Sequence, residues 1–127
     1  MSLEEFYTAT GSDLPGVRAR LLTDERIEKF VNIFFADPTF EELSDAIAEG
    51  DNARAFRAAH TLKGISRDVG LTRVNEAADR LTEALRPGDD GAPTSPELAP
   101  GLYAQVCEVY NQAVAAFNST GLGGQRN

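Results

Sequence analysis

The chain has 127 residues, 42% of them hydrophobic, and a formal net charge of −8 from twenty acidic and twelve basic side chains. That is one domain's length, able to bury about two-thirds of its extended surface, and its acidity argues against nonspecific binding to nucleic acid or anionic membrane. No run approaches the ~20 apolar residues of a membrane span, and the opening MSLEEFYTAT lacks the basic flank and apolar centre of a signal peptide, so a cytoplasmic location is expected.

Ser2 to Glu5 reads as a capping box, S-x-x-E, opening a short helix that includes Phe6, stops near Gly11 and lids one end of the fold. Asp13 caps a second short helix, Leu14 to Leu22, with Pro15 tolerated in its first turn. After a cap at Thr23 or Asp24, residues Ile27, Phe30, Val31, Phe34 and Phe35 form an i, i+3, i+4, i+7, i+8 apolar stripe, the mark of an amphipathic helix. Asp37-Pro38 breaks or kinks it. Phe40, Leu43 and Ile47 then resume in a different phase until Gly50, completing a first long arm.

Asp51 or Asn52 caps the next helix, and Gly70 ends it where a left-handed residue is usual. At about 100° per residue, Ala55, Ala58, Leu62, Ile65 and Val69 fall on one buried stripe. His60, the sole histidine, lies about 160° from Ala58 and Leu62 and therefore points outward, beside Phe56, Arg57, Lys63, Gly64 and Arg67. Gly64 is mid-helix, where glycine is worse than alanine by roughly 0.8–1 kcal/mol, and it removes the side chain that would stand next to the imidazole. Arg57, Lys63 and Arg67 make a cationic collar. Nearby positive charge disfavours the imidazolium, so the expected species is a neutral nucleophile suited to an anionic phosphoryl group.

After a tight turn, Leu71, Val74, Ala78, Leu81 and Leu85 predict a helix running antiparallel to the histidine helix and ending at Pro87-Gly88. Counting outward from Gly70 puts Thr82 level with His60, where its hydroxyl could orient the imidazole. Pro87 to Pro96, PGDDGAPTSP, is a surface loop. Ser95-Pro96 offers start signals, but the firm helix is expected near Pro100-Gly101, with Tyr103, Val106, Tyr110, Ala113 and Phe117 on its inner face. Cys107, the only cysteine, cannot form an internal disulfide and reads as a small boundary hydrophobe. Residues 1–118 thus predict an all-α domain, an antiparallel up-down four-helix bundle with short additional N-terminal helices, and residues 119–127 a disordered polar tail.

The run His60-Thr61-Leu62-Lys63-Gly64-Ile65-Ser66-Arg67-Asp68-Val69-Gly70 resembles the signature of histidine-containing phosphotransfer (HPt) domains of two-component phosphorelays. The histidine, the lysine at i+3 and the glycines at i+4 and i+10 carry the likeness, and the flanking helices extend it over about Ser2 to Asn118. Asp68 stands where that family often has a neutral residue. The resemblance implies that His60 accepts a phosphoryl group, through Nε2, from a receiver-domain aspartate or a sensor histidine kinase and passes it to a response-regulator aspartate. It further implies that Lys63 stabilises the phosphoryl oxygens and that Gly64 lets the receiver dock; Phe56, Arg57 and Arg67, on the same exposed side, are the candidate further contacts with the partner. No cofactor is expected on this chain, the Mg²⁺ belonging to the receiver.

Other classes fit the letters less well. A di-iron bundle needs Glu-x-x-His on two helices, whereas Arg57 precedes His60 by three and no second histidine exists. A helix-turn-helix DNA reader lacks a basic reading helix. No Gly-rich phosphate loop supports an autonomous kinase. The remaining alternative is a helical adaptor that binds a receiver or kinase without carrying phosphate.

Overall fold

A computed structural model describes residues 3–121. Among them lie helices α1 (Leu3–Ala9), α2 (Leu14–Leu21), α3 (Asp24–Ala36), α4 (Thr39–Glu49), α5 (Asn52–Asp68), α6 (Thr72–Leu85) and α7 (Ala99–Ser119), with a 3-10 turn at Pro96–Leu98 before the last. Ser2 of the expected capping box, and the expected tail from residue 122 onward, fall outside the described residues.

Side-chain caps set three of the helix starts. Asp13 accepts from Gly16 N, Thr23 from Arg26 N and Asp51 from Arg54 N, at 3.0, 3.2 and 3.1 Å, each satisfying a first-turn amide that the helix cannot. Asp37 accepts from Thr39 N at 2.9 Å, and with Pro38 as the cap residue the expected break is complete: α3 and α4 are separate helices. Gly50 and Gly70 both take left-handed φ, 70° and 69°. Asp51 N reaches back to Ala46 O, and Leu71 N to Ser66 O, at 2.9 Å, the six-to-one bond of a Schellman stop. At Gly70 the space is filled as well, since a Cβ would overlap Val17 Cγ2 and lie 3.1 Å from Asp13 O.

The turn at Gly70 sends α6 back along α5. Lys63 meets Asp79, and further from the turn Phe56 meets Arg86, so the partners recede from the turn in step and the two helices run antiparallel. Alanines 55, 58, 59, 77 and 78 are all buried, which lets their backbones approach closely. The α5 stripe is rotated slightly from the expected one: Ala59 and Ser66 are fully buried, while Ile65 is only half-buried at the edge. On its other side α5 packs on α4, and α7 packs on α6. Tyr103 OH to Ser44 Oγ, 2.8 Å, and the stacked Phe40 and Tyr110 rings, 4.0 Å apart, join α7 to α4 in antiparallel sense.

The N-terminal helices close one end. At seven residues α1 is too short to hold itself together, but Leu3, Phe6 and Tyr7 are at most 2% exposed, and burial of such side chains contributes ~1.5–3 kcal/mol each. Phe6 sits in a ring cluster with Phe35 and Phe117, which stack at 4.5 Å. Tyr7 donates to Val69 O at 2.6 Å, tying this lid to the end of α5. One residue of the α3 stripe departs from expectation. Ile27, Val31 and Phe34 are buried, but Phe30 is 36% exposed because the helix turns its 27–31–34 line to the core and leaves Phe30 on the rim.

Candidate functional site

The backbone of α5 carries His60 on the face opposite Ala55 and Leu62, and the imidazole is exposed. Its neighbour on one flank is the half-buried Phe56, ring centroids 6.2 Å apart. On the next turn stands Gly64, and a Cβ built there meets nothing within 4 Å. Close helix packing therefore does not explain this glycine. The molecule carries an unfavourable helix residue beside its only histidine and gains no internal contact from it.

Helix α6 supplies the other wall. Lys63 Nζ lies 2.9 Å from Asp79 Oδ1. The Lys63 carbonyl accepts from Asn75 Nδ2 at 2.7 Å and from Ser66 Oγ at 3.1 Å, which fixes the root of the side chain. Glu83 binds Arg86 through two hydrogen bonds, 3.0 and 2.7 Å, and the Arg86 guanidinium rests 5.3 Å from the centre of the Phe56 ring. The Arg86 bonds hold the Glu83 carboxyl below the usual carboxylate range, with smaller contributions from Lys63 and His60.

The expected residues are thus only partly gathered. Phe56, His60, Lys63 and Gly64 form one continuous surface. Arg57 lies on the α4 side, in an open groove with Glu42, Arg54, Ala58 and Thr61. Arg67 lies toward the N-terminal helices, in a depression with Asp13, Arg20 and Asn75. The collar is neither continuous nor purely cationic, since Asp79 and Glu83 stand on its α6 side. Thr82, expected to orient the imidazole, does not reach it. It is fully buried, and its hydroxyl donates to Ala78 O of its own helix at 2.7 Å instead of reaching the imidazole. Counting from the turn gave the right height but not the rotation about the α6 axis. The residues that do face the site, Asn75, Asp79, Glu83 and Arg86, form a polar i, i+4, i+8, i+11 stripe that was visible in the sequence beside the apolar one.

Among the described residues no helix is long and apolar enough to cross a membrane, and no group of three or more His, Cys, Asp or Glu side chains is placed to hold a metal ion. A family model described as Hpt domain matches residues 33–116. The match runs from the last turn of α3 into the last turns of α7, so α1, α2 and most of α3 precede it. No curated protein and no solved structure matches the chain.

Proposed function

The chain belongs to the Hpt domain family, phosphocarriers of two-component phosphorelays, and from that premise we propose that it is a phosphorelay intermediate with His60 as its phosphoacceptor. The observation that carries the reading is Gly64: an exposed imidazole stands beside a glycine that serves no packing inside the molecule, which leaves an approaching partner as its reason. Helices α4 to α7 act as an up-down four-helix bundle that holds α5 rigid while a cytoplasmic receiver docks over it.

In the proposed step the Nε2 lone pair attacks phosphorus of a receiver's aspartyl phosphate in line with the leaving oxygen. The N–P bond forms as the P–O bond breaks, the aspartate departs as carboxylate, and the imidazole proton stays on Nδ1. Lys63 offsets charge on the phosphoryl oxygens. The receiver brings its own Mg²⁺ and aspartate pocket, so this chain's contribution is chiefly positioning. Transfer to a second receiver, or acceptance from a sensor kinase, uses the same surface. Phe56 and Gly64 form the centre of the docking face, and Arg57 and Arg67 flank it.

The test is to incubate the protein with a receiver domain from the same genome that has been charged with labelled phosphate. Wild type should take up label, and His60→Gln should take up none while still binding the receiver. Wild-type binding without label would favour the adaptor reading.

A further inference from the structure

Lys63 does not wait unpartnered for the phosphoryl group. Its ammonium is 2.9 Å from Asp79, the lysine side chain being 28% and the aspartate 46% exposed. The lysine's backbone is held by Asn75, from the same helix that supplies Asp79. One turn further along α6, Glu83 takes up Arg86 beside Phe56 in the same fashion. Both cations on the α6 side of the imidazole therefore already carry a carboxylate. The pairing at Lys63 is half open to water, so it can be broken and remade without opening the core.

We infer that Asp79 is a resident competitor for Lys63: it holds the ammonium beside the empty imidazole, yields it to an arriving phosphoryl group, and by reclaiming it weakens retention of phosphate on His60. This rests on His60 being the phosphoacceptor. A phosphoryl group bears about −1.5 to −2 charge near neutral pH and outbids a single carboxylate, but the ammonium cannot satisfy both anions fully. Asp79 is a positioning residue acting through Lys63, and its effect falls on the equilibrium between carrying and releasing phosphate. A relay that must hand its cargo on is served by such a counterweight.

Phosphoramidate tests this without a protein partner. As it charges His60, the new N–P bond forms while the P–N bond of the reagent breaks and ammonia leaves, so the phosphorylated fraction at a fixed phosphoramidate-to-ammonium ratio, read by ³¹P NMR, reports retention. Asp79→Asn should raise the ratio of phosphorylated to free His60 by about two- to fivefold, within what a partly exposed ion pair carries, and Asp79→Glu should restore most of the wild-type value. In a Lys63→Gln background the same Asp79→Asn change should be nearly silent. An unchanged ratio in Asp79→Asn, or an equal shift with and without Lys63, overturns the inference, as does failure of phosphoramidate to charge His60. A receiver that cannot charge His60, with the phosphoramidate shift intact, would count against the proposed function and leave this inference standing.

Discussion

Replacing Gly64 separates stability from transfer, because the two should move in opposite directions. A Cβ at Gly64 meets nothing within 4 Å, so Gly64→Ala brings no clash and fills no cavity, and only helix propensity remains. That is worth ~0.8–1 kcal/mol in favour of alanine, which for a domain of this size raises the midpoint of thermal unfolding by about 3–5 °C. Circular dichroism at 222 nm measures it directly. Gly64→Gln keeps most of that gain but stands a long side chain one turn from the imidazole, and transfer from a charged receiver should slow about tenfold, equivalent to ~1.4 kcal/mol of lost docking. Gly70 supplies the contrast. With φ at 69° and a Cβ that would overlap Val17, Gly70→Ala should lose ~2–4 kcal/mol from backbone strain and overpacking together. If Gly64→Ala lowers the unfolding midpoint, or Gly64→Gln transfers at the wild-type rate, then the glycine is internal to the fold and the docking argument fails.

Thr82→Val removes a buried hydroxyl whose acceptor, Ala78 O, is also within reach of the helix's own amide hydrogen bond. It should cost no more than ~1 kcal/mol of stability and leave phosphotransfer unchanged; a folded Thr82→Val protein with impaired transfer would restore Thr82 to the site. The buried Tyr7 and Tyr110 phenols are both pushed above the ordinary tyrosine range by burial. Folded values above unfolded ones mean that this contribution is whole below about pH 10 and is lost as pH rises further, because the unfolded phenols ionise first. Tyr7→Phe, which also removes the bond to Val69 O, should cost ~0.5–1.5 kcal/mol at neutral pH and flatten the alkaline loss of stability by ~1.4 kcal/mol per pH unit. Equal alkaline slopes in urea titrations of wild type and variant would refute the assignment.

What could be read from the letters was what a single helix decides about itself. A cap at Asp13, caps at Thr23 or Asp24 and at Asp51 or Asn52, the break at Asp37-Pro38, the stops at Gly50 and Gly70 and the outward direction of His60 are local properties; the structure has each, with Thr23 and Asp51 as the capping residues of the two pairs. What depended on the rotation of one helix against another was not legible. Phe30 sits on the rim of its stripe, and only the seating of α3 makes Ile27, Val31 and Phe34 the buried line. Thr82 and Glu83 are neighbours in sequence, yet the roll of α6 buries one and turns the other toward Lys63 and His60. The charge around the imidazole was misjudged for the same reason: the collar was read from α5 alone, while Asp79, Glu83 and Arg86 reach it from α6. Small side chains such as Ala58, Ala59, Ala77 and Ala78 set that approach, and no charge pattern announces it.

The most direct measurement is to charge the wild-type protein from a phosphorylated receiver and locate the phosphate by acid-lability and electron-transfer mass spectrometry. A single acid-labile phosphate on His60, absent from His60→Gln, is the expected result. Acid-stable phosphate, or label carried on any other residue, would contradict it.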